Sequence, residues 1–102
     1  MEKLTPDGLI QLLNGSKVLL IDLRSPEEFK GGHIINAKNM SLDDIESLKI
    51  NTEQSIVTYG AKDSEAIKAA KTLIELGLEQ AYYLEGGISS WVENNMPLSG
   101  EK

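Results

Sequence analysis

The sequence predicts an α/β sandwich with a mostly parallel central sheet, and three observations lead there. Apolar, β-branched runs recur along the chain at Val18-Leu19-Leu20-Ile21, Ser55-Ile56-Val57-Thr58-Tyr59 and Ala81-Tyr82-Tyr83-Leu84. Each is followed by a turn and then by a helical pattern, and parallel strands need such crossovers. The 102 residues, 40% hydrophobic and 25% charged, suit one compact soluble domain with one core and no linker or repeat.

The elements follow in order. Thr5-Pro6-Asp7 is a helix start, with Thr as N-cap, Pro at the first helical position and an acid in the first turn. Leu9, Ile10 and Leu13 share a face before Asn14-Gly15 stops the helix. Lys17 to Asp22 reads as a strand buried on both faces, because its apolar run is continuous rather than alternating. Ser25-Pro26-Glu27-Glu28 is a capping box: Ser25 caps the Glu28 amide while Glu28 reaches back. Gly31-Gly32 ends that short helix, and a second box, Ser41-Leu42-Asp43-Asp44, opens another that carries Ile45 and Leu48 inward. After the Ser55–Tyr59 strand, Gly60 to Asp63 makes a turn and a longer helix runs from about Ser64 to Leu76. Its Ile67, Ala70, Ile74 spacing predicts the core-facing stripe, and Gly77 sits at the left-handed C-cap. Gly86-Gly87 turns into a last helix with Ile88, Trp91 and Val92 on one face, which Pro97 ends.

Composition excludes several functions. Ten Lys+Arg against 16 Asp+Glu leave a net charge of −6, with Arg24 the sole arginine. That balance repels phosphate backbones, so no nucleic-acid partner is expected. There is no cysteine and only one histidine, so thiolate metal sites, disulfides and thiol nucleophiles are excluded, and no cofactor is expected. Met1-Glu2-Lys3-Leu4 has no apolar export segment and the longest apolar run is too short to span a membrane. The expected location is cytoplasmic.

Ligands of open α/β sheets collect at the carboxyl ends of strands. Two strand-to-helix loops qualify: Asp22-Leu23-Arg24-Ser25, and Gly60-Ala61-Lys62-Asp63-Ser64-Glu65. The second opens the longest helix, whose N-terminal amides suit an anion. On its own it is also an ordinary connection.

The segment from Leu20 to Ile34, with Asp22-Leu23-Arg24, then Glu28-Phe29, then Gly32-His33-Ile34, resembles the N-terminal signature of rhodanese-like domains. Gly86-Gly87 followed by Trp91, and Met96-Pro97-Leu98, resemble the family's C-terminal motif. The resemblance spans about Leu4 to Leu98 and implies a three-layer sandwich that transfers sulfane sulfur through a cysteine persulfide. It places the nucleophile at Gly60, the loop glycine at Asp63, the anion-binding arginine at Glu65 and the helix-opening serine at Ala66. Loop length is retained while its chemistry is not.

The loss is hard to rescue. Gly60 has no side chain to form a persulfide, and a Ser64 alkoxide is far too basic to replace a thiolate. Asp63 and Glu65 face an incoming anion with only Lys62 to offset them. Each carboxylate would oppose that anion by about 1–4 kcal/mol, against ~0.3–1 kcal/mol from the helix dipole. A glycine could also mark a replaced cysteine, but one replacement leaves Asp63, Glu65 and Ala66 unexplained.

By the same resemblance Asp22, Arg24, Glu28, His33, Gly86, Gly87 and Trp91 are structural, with an Arg24–Glu28 ion pair available if the helix orientation permits. No spacing unites Ser64, His33 and Asp22 into a triad. The acidic run of Asp43, Asp44 and Glu46 is either a docking surface for a basic partner or a solvated helix face. Two functions stand: a catalytically silent module that binds a protein partner, or a sulfurtransferase using a partner's thiol. A phosphatase of related fold also needs the loop cysteine.

Overall fold

The computed structural model describes residues 2–48 and 53–99. Met1, the start of the export-signal reading, lies outside the described residues. The elements run β1 Glu2–Leu4, α1 Pro6–Gly15, β2 Val18–Asp22, α2 Pro26–Lys30, β3 His33–Ile34, β4 Lys38–Asn39, α3 Leu42–Glu46, β5 Ser55–Tyr59, α4 Asp63–Glu75, β6 Ala81–Leu84, α5 Gly87–Glu93 and β7 Leu98–Ser99. Five strands form a fully parallel sheet in the order β1-β6-β5-β2-β4, while β3 and β7 pair antiparallel beside it.

Alternation along the central strands divides the core into two layers. Leu20, Val57 and Tyr59 pack with Leu9, Leu84 and Trp91, whereas Ile21 and Ile56 pack with Ile45, Ala69, Ala70 and Leu73. Helices therefore cover both faces, as the unbroken apolar runs predict. Thr5 caps α1, and both capping boxes form with their reciprocal hydrogen bonds.

Two readings of packing need correction. The buried stripe of α4 is Ala66, Ala69, Ala70 and Leu73; Ile67 is half-buried and Ile74 is 37% exposed. Small residues face the sheet because the helix lies close against it, and the larger isoleucines turn to the flank. Trp91 is buried, its indole N–H donating to the Pro97 carbonyl at 2.8 Å, but Val92 on the same helix is 48% exposed. The helix α4 runs Asp63–Glu75, within a residue of the expected bounds. Strands β1, β3, β4 and β7, each of two or three residues, carry too little pattern to be read from sequence.

Candidate functional site

The register Asp22↔Tyr59 between β2 and β5 brings the two strand-to-helix loops side by side at the carboxyl edge of the sheet. The Leu23 amide extends that pairing by donating to the Tyr59 carbonyl at 2.8 Å.

The first loop is a buried charge network. Asp22 is fully buried and accepts from the Arg24 backbone N–H at 2.8 Å, from Arg24 Nε at 3.1 Å on both oxygens and from Nη2 at 2.7 Å. Arg24 Nη2 also donates to the Gly32 carbonyl at 2.7 Å, tying the loop to the far end of α2. Burial works against the guanidinium's charge, but the hydrogen bond and charge of Asp22 outweigh it and its pKa is raised. The expected Arg24–Glu28 ion pair gives way to this arrangement. Glu28 is occupied in the capping box, accepting from the Ser25 amide and hydroxyl.

Tyr59 completes the network. The Arg24 guanidinium lies 5.9 Å from its ring centroid, and its hydroxyl accepts from the Ile34 amide at 3.2 Å. Burial pushes this phenol well above its ordinary value, with Asp22 adding to the effect. Sequence reasoning missed Tyr59 and also Asn39, whose side-chain amide donates to the Asp22 and Arg24 carbonyls at 3.1 and 2.8 Å. Asn39 lies on β4, and no local pattern announces a contact made across a strand pair. His33 stacks on Phe29 at 3.8 Å and its Nδ1 donates to the Phe29 carbonyl at 2.7 Å. With that nitrogen taken by Phe29 and both Asp22 oxygens by Arg24, neither residue is arranged as a triad with Ser64.

The second loop has a different construction. Gly60 is buried, whereas Ala61, Lys62, Ser64 and Glu65 are exposed and Asp63 is half-buried. Lys62 is the N-cap of α4 and supplies no side-chain cap. Asp63 instead reaches across to the turn before α5, where its two oxygens accept from the Gly86 amide at 3.2 and 3.1 Å. Gly87 presses against the same loop from that side: a Cβ there would come 2.8 Å from the Gly60 carbonyl, and its φ is +54°. The glycine pair is thus a close-approach device, which its place in a sequence motif does not reveal. At Gly60 itself a Cβ would meet Leu23 Cβ at 3.4 Å, the Lys62 carbonyl at 3.7 Å and Glu65 Cβ at 3.9 Å. Those are ordinary contacts, so the position has room for a Cβ it does not carry.

Two clefts flank Arg24. One, of about 450 Å³, is lined by Arg24, Ile88, Ser89, Val92, Glu93 and Leu98. The other, of about 310 Å³, lies between the two capping boxes, with Leu23 and Met40 among its walls.

Residues 5–94 match the rhodanese-like domain family. The chain belongs to that family. It is 38% identical over 77 residues to the uncharacterized protein YqhL of Bacillus subtilis, covering 74% of this chain and 61% of YqhL. It is 28% identical to the thiosulfate sulfurtransferase GlpE of Shewanella oneidensis, covering 90% of this chain and 93% of that protein. A rhodanese-like domain protein from Staphylococcus aureus superposes with a TM-score of 0.81 at 30% identity, each chain covered to 100%. Against YqhL, two Buchnera aphidicola proteins and one from Synechocystis, the rhodanese-like chain spans between 54% and 66% of the relative's length. No helix among the described residues is long and apolar enough to cross a membrane.

Proposed function

We propose that this rhodanese-like domain is catalytically silent and works by binding a protein partner, in a regulatory or docking role. One observation carries the reading: the residue that follows β5, where the family resemblance places the nucleophile, is Gly60, and the chain contains no cysteine. Sulfane-sulfur transfer needs a thiolate that attacks sulfur and later leaves. No side chain near Gly60 offers that chemistry. The loop's acids add a second support. Glu65 is exposed beside the loop, and Asp63 engages the Gly86 amide, so the mouth presents carboxylates rather than a guanidinium to an incoming anion. The one arginine, Arg24, is already committed to Asp22.

The room for a Cβ at Gly60 favours one alternative, a sulfurtransferase whose thiol comes from a partner. A single assay separates the two. The purified chain is incubated with thiosulfate and cyanide, with and without glutathione as an external thiol, and thiocyanate is measured. The silent domain produces none above the uncatalysed background in either arm. Thiocyanate formed without added thiol, and lost when residues 61–65 are scrambled, would overturn the proposal. A rate above that of glutathione alone would favour the partner-thiol enzyme.

A further inference from the structure

The 450 Å³ cleft beside α5 has the size of a ligand site, and none of its lining residues belongs to the Gly60–Glu65 loop. Its wall is apolar: Ile88 is half-buried, while Val92 and Leu98 are 48% and 39% exposed. A donor and an acceptor frame that wall.

The donor is Arg24, whose side chain is only 9% exposed. Its Nε and Nη2 are used by Asp22 and Gly32, and Nη1 makes no hydrogen bond among the described residues. The guanidinium is therefore fixed in place with Nη1 uncommitted, and Arg24 lines both this cleft and the one between the capping boxes. Its charge is compensated by Asp22 at 2.7 Å, so it suits a neutral acceptor such as a peptide carbonyl better than an anion. The acceptor is Glu93, exposed and without an ion pair or hydrogen bond among the described residues. A free carboxylate on a chain of net charge −6 draws a cation.

We propose that this cleft binds an extended peptide segment of a partner protein in which an apolar side chain stands next to a lysine or arginine. The apolar side chain packs on Ile88, Val92 and Leu98, a backbone carbonyl takes Arg24 Nη1, and the basic group pairs with Glu93. The site is distinct from the nucleophile position, so the proposal does not depend on whether sulfur transfer is absent.

The test titrates the isotope-labelled chain with short, end-blocked peptides carrying a central Leu-Lys, Leu-Glu or Ala-Lys pair. Amide shifts are followed by nuclear magnetic resonance, with acetate alone as a further probe. Leu-Lys should shift residues 88–93, Arg24 and Leu98, with affinity at least about fivefold above the other two peptides. Val92→Asp should abolish the response and Glu93→Lys should reverse the preference toward Leu-Glu. Both side chains are exposed, and circular dichroism checks that each variant keeps its fold. Absence of shifts with Leu-Lys, shifts centred elsewhere, equal response to Leu-Glu, or a response to acetate alone at these residues would each overturn the proposal. So would shifts that track protein concentration without peptide, which would mark the cleft as a contact between copies.

Discussion

Two neighbouring loops leave the same sheet edge and open a helix each, yet they are held by opposite means. The β2–α2 loop is fixed by its own side chains: Asp22 and Arg24 bond within the loop, and Ser25 and Glu28 cap the helix it opens. The β5–α4 loop carries no side-chain cap and is held from a distance, by the Gly86 amide on Asp63 and by Gly87 against the Gly60 carbonyl. The first loop builds the scaffold. The second is where the family resemblance places the nucleophile; it carries Gly60 there, and its backbone is braced all the same. The contacts that hold the second loop do not require a cysteine at residue 60.

The sharpest way to break this contrast is to remove the first loop's central charge. Asp22→Ala leaves the buried Arg24 guanidinium without its partner and should lower stability by about 3–5 kcal/mol in chemical denaturation. A change below about 1 kcal/mol would mean that the network is ornamental to the scaffold. Gly87→Ala attacks the bracing of the second loop. The left-handed backbone and the close Gly60 carbonyl predict a loss of about 1–3 kcal/mol, read from the same denaturation curves.

The Tyr59 phenol sharpens the comparison through pH. Its pKa is raised in the folded state, mainly by burial, so the folded chain holds that proton more tightly than the unfolded chain. The associated stability is fully present below the ordinary phenol value of 10 and is lost as pH rises through the folded value. From about pH 10 upward this group should remove stability at up to ~1.4 kcal/mol per pH unit. Tyr59→Phe should cancel that part of the slope when both proteins are unfolded in urea across the alkaline range. Parallel slopes would show that the phenol titrates as freely as in the unfolded chain. The smallest effect belongs to Asp63→Ala, which removes a hydrogen bond at the surface and should cost about 0.5–1.5 kcal/mol. A loss equal to that of Asp22→Ala would erase the distinction between the loops.

What could be read from sequence follows the same division. Thr5, the Ser25–Glu28 box and the Ser41–Asp44 box are contacts across three residues, and all form as expected. The three long strands announce themselves by composition. Contacts between distant segments were not legible. Asp63 and Gly86 are separated by 23 residues, and Asn39 lies 17 residues from Asp22. On α4, Ala70 faces the core as its spacing predicts but Ile67 and Ile74 do not, because isoleucine outweighs alanine in hydrophobicity whereas close helix–sheet packing selects for small size at Ala66 and Ala69.

In the proposed function the scaffold persists without the loop's sulfur-transfer chemistry. The direct measurement compares thiocyanate production by Gly60→Cys with that by the fourfold variant Gly60→Cys, Asp63→Gly, Glu65→Arg, Ala66→Ser. A Cβ at residue 60 meets only ordinary contacts, and the single thiol should alkylate, yet turn over poorly beside Asp63 and Glu65. The fourfold variant, with the acids replaced and an arginine at the mouth, should be at least about tenfold faster, equivalent to ~1.4 kcal/mol of barrier. Equal rates in the two variants would contradict the account, because the acidic loop would then be electrostatically irrelevant and only one residue would have been lost.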